Sequence, residues 1–351
     1  MIVKNEEHII ERALESVKDI VDYYIISDTG SSDLTPKIIK EFMDQHNISG
    51  EIHFDKWLNY GHNRNYNLLH QPKSDIIIDY NLLLDADETV VIHNLNDFYR
   101  YMDDGVDGLN FLYKNNNLKY FKTKLISTSK DWIYKGKTHE YITTFGHFKK
   151  TIETDLAEII EYYDGGNRST KFENDVKILE RELEINPNDR ARHLFYLGRS
   201  YYDLKNYKKA IENFEKCKNT TKWDEELYQC YLYRGLGFLQ LDQPGNAAKE
   251  LIMSYIIRPT RIEGLYYLIS HYIQNNQHYL AYPLVELIKD IKLPSPDNDI
   301  LFVHNDVYEW KFFAAAATVY YKLGMYDKAN YCFNEIKHLD NGWVKQNEKF
   351  F

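Results

Sequence analysis

The stretch Asn81-Leu82-Leu83-Leu84-Asp85-Ala86-Asp87-Glu88 decides how this chain is read. An apolar run that suits a buried strand ends in two aspartates one residue apart. On an extended backbone, side chains at i and i+2 point to the same side. Asp85 and Asp87 are therefore expected to aim together beyond the strand's carboxyl end, where open α/β sheets bind ligands. Two convergent carboxylates there can hold a hard divalent cation against a phosphate. Asp-x-Asp also arises as a turn or a helix cap, so the rest of the chain must decide.

Working outward, residues 1 to about 165 alternate strands and helices. Ile2-Val3 is a very short strand, which implies either a chain that starts upstream or a sheet that tolerates a stub. Glu6 to Val17 places Ile9, Ile10, Ala13, Leu14 and Val17 on one helical face. Tyr23 to Ser27 is a strand, and Asp28-Thr29-Gly30-Ser31-Ser32-Asp33 is the loop after it. Thr35-Pro36 opens a helix to Met43, with proline in the first turn. Glu51 to Phe54 reads as a strand, Arg64 to His70 as a helix, and Ile76 to Leu84 contains the strand before the aspartates. This alternation predicts a largely parallel sheet covered by helices on both faces.

From about residue 172 the pattern is wholly helical and repeats. Leu197-Gly198, Tyr201, Ala210 and Phe214 align with Gly235, Phe238, Ala247, Leu251 and Pro259. A third copy has Tyr272, Ala281 and Val285, and a fourth has Phe313, Tyr321, Ala329 and Phe333. Small residues let two helices approach and large ones fill the groove. The unit is close to the about 34 residues of tetratricopeptide repeats. The second-to-third spacing fits, and the others are longer. The polar, glycine-rich Asp164-Gly165-Gly166-Asn167-Arg168-Ser169 marks the boundary, giving domains 1–165 and 172–351.

Composition narrows the function classes. The 351 residues carry 44% hydrophobic and 27% charged residues, ordinary for globular domains. A net charge of −10 argues against a nucleic-acid partner. No apolar run approaches the ~18 residues of a membrane span, and the charged N-terminus is unlike a signal peptide. Three cysteines in helical patterns lack metal spacing and make no disulfide framework, so a cytoplasmic setting is expected. Most of the 31 tyrosines lie at helical spacing in the second half, which suits helix packing.

In order and spacing, Met1 to Glu7, Ile26 to Asp33, His62-Asn63-Arg64-Asn65, Leu84 to Glu88 and Thr138-His139-Glu140 resemble family-2 glycosyltransferases. The later segments Phe195 to Gly198, Trp223 to Glu226 and Arg258 to Arg261 resemble members with C-terminal tetratricopeptide repeats. The resemblance implies a nucleotide-diphospho-sugar transferase domain of GT-A fold, an α/β Rossmann-like layer with a mostly parallel sheet. An all-α TPR-like domain follows. It implies inverting transfer from a nucleoside-diphosphate sugar, with a UDP-sugar favoured, to a protein or glycan acceptor. Asp28 would read the base, or else cap its own turn; Asp33 would buttress the loop. Asn5 and Glu6 would lie beside the nucleotide. Arg64 and Asn65 would meet the diphosphate, or fix a loop by a salt bridge. Asp87 would ligate Mn²⁺ or Mg²⁺, with Asp85 on the ribose, on a metal-bound water or itself a second ligand, and His139 a further ligand or a diphosphate contact. Glu88 would be structural. Glu140 would be the general base, with Asp131 in reserve. The repeats would bind the acceptor or pair two copies as a homodimer. The expected arginine before the acceptor loop is absent from Gly108 to Thr128. A rival reading makes the chain a TPR-type binding module with a degenerate sugar-nucleotide domain. A nucleotidyltransferase would want a glycine-rich phosphate loop, which Lys4-Asn5-Glu6-Glu7 is not.

Overall fold

The computed structural model describes residues 1–73, 76–115, 118–144, 151–165, 171–186, 189–295 and 299–351. The chain divides into two units, Met1–Asn174 and Asp175–Phe351. The expected boundary at 164–169 falls largely outside the described residues.

The first unit opens with β1 (Ile2–Val3), α1 (Ile10–Glu15), β2 (Tyr23–Asp28), α2 (Thr35–His46) and β3 (Ser49–Phe54). These strands form a parallel sheet in the order β1-β2-β3. Parallel neighbours need crossovers, and α1 and α2 supply them. Ile10, Ala13 and Leu14 of α1 and Ile39, Phe42 and Met43 of α2 are buried in one core with Tyr24 and Ile26. Next come α3 (Tyr60–Leu69), β4 (Tyr80–Leu82), β5 (Glu88–Ile92) and α4 (Leu95–Asp103). Asn59 and Asn94 cap α3 and α4 through side-chain oxygens that accept from His62 N and Asp97 N.

The remaining strands are β6 (Gly108–Asn115), β7 (Leu118–Ser127), β8 (Trp132–Lys135), β9 (Tyr141–Thr144) and β10 (Thr151–Glu161). A second sheet runs β4-β7-β6-β10-β5, while β8 and β9 form a separate antiparallel ribbon. In this second sheet only β6 and β10 pair in parallel. The α/β class holds, but the sheet is mixed. The all-parallel order belongs to β1-β2-β3, whose strands are joined by helices, whereas β6 and β7 follow each other with no helix between them and pair antiparallel.

The second unit takes in most of α5 (Lys171–Ile185) and then four helix hairpins. These are α6 (Arg190–Asp203) with α7 (Tyr207–Lys218), and α8 (Asp224–Gln240) with α9 (Pro244–Ile257). They continue with α10 (Glu263–Gln274) and α11 (His278–Ile288), then α12 (Phe312–Lys322) and α13 (Tyr326–Ile336), before α14 (Gly342–Asn347). The four aligned alanines, Ala210, Ala247, Ala281 and Ala329, are all 0% exposed. Gly198 and Gly235 lie so close to the next helix that an added Cβ would meet Phe214 at 2.9 Å and Leu251 at 2.5 Å.

The repeat is also written in the turns. Lys205, Asp242, Asn276 and Gly324 end the first helix of each pair with φ of 59°, 54°, 57° and 76°. Each left-handed residue donates its N–H three residues back, to Tyr202, Leu239, Ile273 and Tyr321. Each following residue donates five back, to Tyr201, Phe238, Tyr272 and Tyr320. This is the Schellman pattern four times over. The three cysteines are buried and free of disulfides. Among the described residues, no helix is long and apolar enough to cross a membrane.

Candidate functional site

The aspartate pair does not sit on an extended strand. The Glu88 N–H donates to the Asp85 carbonyl at 3.1 Å, which closes a turn over Asp85 to Glu88. Glu88 tightens it by accepting the Asp85 N–H at 2.9 Å on Oε2. The i, i+2 alignment expected from the sequence is therefore lost, and the two carboxylates have different surroundings. Asp85 Oδ1 meets Arg64 Nη1 at 2.6 Å. Asp87 lies beside Gly165 and Glu6: a Cβ built on Gly165 would stand 3.5 Å from an Asp87 oxygen and 3.7 Å from a Glu6 oxygen.

Arg64 is the hub. It projects from α3, and its Nε donates to Glu140 Oε1 at 2.6 Å while Nη1 holds Asp85. The guanidinium lies 5.6 Å from the Tyr134 ring centroid. Burial would raise the pKa of Asp85, but attraction to Arg64 and then Lys124 outweighs it, so the carboxyl sits below its ordinary value. Nη2 of Arg64, Oδ2 of Asp85 and Oε2 of Glu140 have no hydrogen-bond partner among the described residues. Each can take a ligand without breaking the cluster.

Asn65 fastens rather than reaches outward. Its Nδ2 donates to the Tyr134 carbonyl at 2.9 Å and its Oδ1 accepts the Tyr134 N–H at 2.7 Å. This pins β8 to α3. The same contact surface needs Gly61, whose added Cβ would fall 2.0 Å from the Gly136 carbonyl oxygen. Glu140 thus reaches Arg64 because the ribbon is tied to the helix. Asp131 is exposed at the other end of β8, about 13 Å away by strand rise, outside the Arg64 cluster. Trp132 spends its indole N–H on the Ser127 carbonyl at 3.0 Å.

The loops after β1 and β2 are zipped together. Asn5, at φ 55°, accepts the Ser32 N–H on its side chain at 2.8 Å, and its own N–H reaches Ser31 Oγ at 2.9 Å. The Glu6 N–H donates to Thr35 Oγ1 at 2.8 Å. Asp33 accepts from Thr35 N and Oγ1 on one oxygen and from Glu7 N on the other, the buttress expected of it. Asp28 is 2% exposed and accepts Gly30 N and Ser31 N on Oδ1, each at 2.8 Å. Its Oδ2 is buried without a partner. The capping reading accounts for one oxygen, and the other is left for a donor such as a base N–H.

A metal would meet a sparse donor set. Among the described residues no group of three His, Cys, Asp or Glu side chains could hold one. His139, at φ 50° in the bend before Glu140, therefore completes no such triad with the aspartates. The set does fit a cation that takes one or two carboxylates plus substrate phosphates, as Mg²⁺ does. Asp87 would hold it, with Glu6 beside it.

The sequence reading missed one buried pair. Lys124 Nζ lies 2.5 Å from Glu88 Oε2, both side chains 3% exposed, and the Tyr113 hydroxyl donates to Glu88 Oε1 at 2.5 Å. Burial lowers the Lys124 pKa against the pull of Glu88. Glu88 is structural, as expected. The available signal was a lysine in the apolar alternation of β7.

Comparison with known proteins follows the same division. Residues 1–169 match the family model described as Glycosyl transferase family 2. A TPR repeat-containing protein of Synechococcus elongatus is 34% identical over 105 residues, 29% of this chain and 23% of its own length. The chain thus spans about a quarter of that relative. Among solved structures, a crystal structure of MamA is 20% identical, with a TM-score of 0.38, over 54% of this chain and 98% of the other. YrrB, a TPR protein, is 15% identical with a TM-score of 0.38, over 52% of this chain and 85% of its own.

Proposed function

From the match of residues 1–169 to the family model described as Glycosyl transferase family 2, we propose that this protein moves a sugar from a nucleoside-diphosphate donor, a UDP-sugar, to a protein or glycan acceptor. The observation that carries the reading is Arg64 braced between Asp85 and Glu140 with one nitrogen to spare. A guanidinium fixed by two carboxylates is preorganised for a diphosphate oxygen on Nη2. Asp28 Oδ2, buried and unpaired, supports recognition of the base N–H. Asp87 would hold Mn²⁺ or Mg²⁺, which supplies charge neutralisation at the leaving diphosphate when bound. Glu140 Oε2 would take the acceptor hydroxyl proton as that oxygen attacks the anomeric carbon in an inverting displacement.

Thermal shift with UDP, GDP, TDP and UDP-sugars, with and without Mn²⁺, tests the reading. A ligand of the native state at a hundred times its Kd adds about 2.7 kcal/mol. A Mn²⁺-dependent rise with UDP or a UDP-sugar is expected. No rise with any nucleotide overturns the reading and favours a binding module.

A further inference from the structure

Between α11 and α12 the chain inserts a long connection, which explains the wide spacing of the third and fourth repeats. Its residues 299–304 are strapped across α6, α8 and α10. Gln229 Nε2 donates to the Leu301 carbonyl at 2.6 Å. Arg261, 0% exposed, gives Nη1 to the same carbonyl at 2.9 Å and Nη2 to Phe302 at 3.1 Å. Glu225 Oε2 accepts the N–H groups of Ile300 and Leu301 at 2.8 and 2.7 Å. Phe302 stacks on Phe195 at 6.2 Å, under the Arg199 guanidinium at 4.3 Å. Gln229 Nε2, Glu225 and Arg261, groups that could grip an extended peptide backbone, are thus spent on the chain's own strap.

What the strap leaves is a cavity of about 400 Å³. That is the small end of the ~300–1,000 Å³ of small-molecule sites. Its walls include the rings of Tyr202, Tyr233 and Tyr267, with His304 of the strap closing one side. The rings are held in place. Tyr202 and Tyr233 meet edge to face at 5.3 Å, and the Tyr267 hydroxyl and His304 Nδ1 are 2.9 Å apart. Gln240, Ser270 and Gln274 also line it, and their side chains have no hydrogen-bond partner among the described residues. Leu236, Leu239 and His271 complete the lining, and among the described residues no carboxylate, ammonium or guanidinium lines the cavity. Aromatic faces with unspent neutral donors and acceptors suit a ligand with apolar C–H faces and many hydroxyls, not a charged one.

We propose that this cavity binds a neutral glycosyl unit of one or two rings. That the unit belongs to the acceptor, making the acceptor a glycan, rests on the transferase reading; the binding itself does not.

Saturation-transfer NMR on the full chain with maltose, cellobiose, lactose and chitobiose tests it. At least one should bind at millimolar concentration or tighter. The double variant Gln240→Ala/Gln274→Ala, both positions exposed at the mouth, should weaken it by about tenfold, two neutral hydrogen bonds' worth. Binding of none of the four overturns the inference, as does binding that the double variant leaves unchanged. The Mn²⁺-dependent response to UDP is read on the same sample. Its loss overturns the transferase reading, and its presence without saccharide binding overturns only this site.

Discussion

Replacing Arg64 by methionine would keep the aliphatic stem and remove the charge that two carboxylates share. Asp85 and Glu140 each sit 2.6 Å from the guanidinium, with side-chain exposures of 24% and 13% against 16% for Arg64. Removing one partner of a fully buried pair costs about 3–5 kcal/mol. Partial exposure lets water answer some of the lost attraction, so about 2–3 kcal/mol is expected here. The pH dependence separates this from lost packing. Asp85 has a depressed pKa in the folded chain. Its stabilising contribution is therefore present above the unfolded value of about 3.9 and is lost as pH falls through the folded value. In the variant, burial persists without Arg64, the folded pKa rises, and the contribution is missing near neutrality. The difference between the proteins should be widest at about pH 7 and narrow as pH falls below about 4, toward the depressed folded value of Asp85. Hydrogen exchange along Tyr60–Leu69 and Trp132–Lys135 reads this unit apart from the helical one. A difference below about 0.5 kcal/mol at neutral pH, or one that stays unchanged well below about pH 4, would refute the hub argument.

Other expectations follow from the same geometry. Asp87→Ala should abolish metal-dependent turnover while circular dichroism stays native; retained activity would remove Asp87 as ligand. Glu140→Gln keeps a hydrogen bond to Arg64 but cannot accept a proton, so donor binding should persist and transfer should fall by about 10²–10⁴. Normal transfer would send the base elsewhere. Gly324→Ala should cost about 1 kcal/mol because φ is 76°, although nothing lies within 4 Å of the new Cβ. Gly342→Ala, in open space without that φ, is the control and should not destabilise in the same melt.

Local patterns were legible and long-range partners were not. Ala210, Ala247, Ala281 and Ala329 could be aligned from sequence because helix periodicity and hairpin turns are local, and all four are buried. The helix predicted to open at Thr35-Pro36 is α2, which runs on to His46. The strand placed within Ile76 to Leu84 is Tyr80–Leu82, and it pairs antiparallel with β7, where the alternation predicted a largely parallel sheet. Alternation says which residues are strand-like, not which neighbour they find. Arg64 and Glu140 are 76 positions apart, and Lys124 and Glu88 are 36 apart. Those ion pairs exist because β8 docks on α3 and β7 crosses the second sheet. No local rule reads that.

The charge balance of the site sharpens the functional reading. Lys124 answers Glu88, and Arg64 answers only one of Asp85 and Glu140. Asp87 and Glu6 add two more carboxylates around Gly165. A diphosphate brings further negative charge to this group. Two like charges about 4 Å apart cost about 4 kcal/mol each pair in a partly solvated site. Arg12 and Lys122 also act on Asp87 and Asp85, but Arg12 is paired with Asp164 at 2.7 Å, and the spare Arg64 nitrogen falls short of the repulsion from a diphosphate. Under the proposed function, donor binding should therefore need a divalent cation outright rather than merely improve with one. UDP stabilisation that survives EDTA would show that the chain's own cations suffice, and the carboxylate pair around Gly165 would then have no part in donor binding.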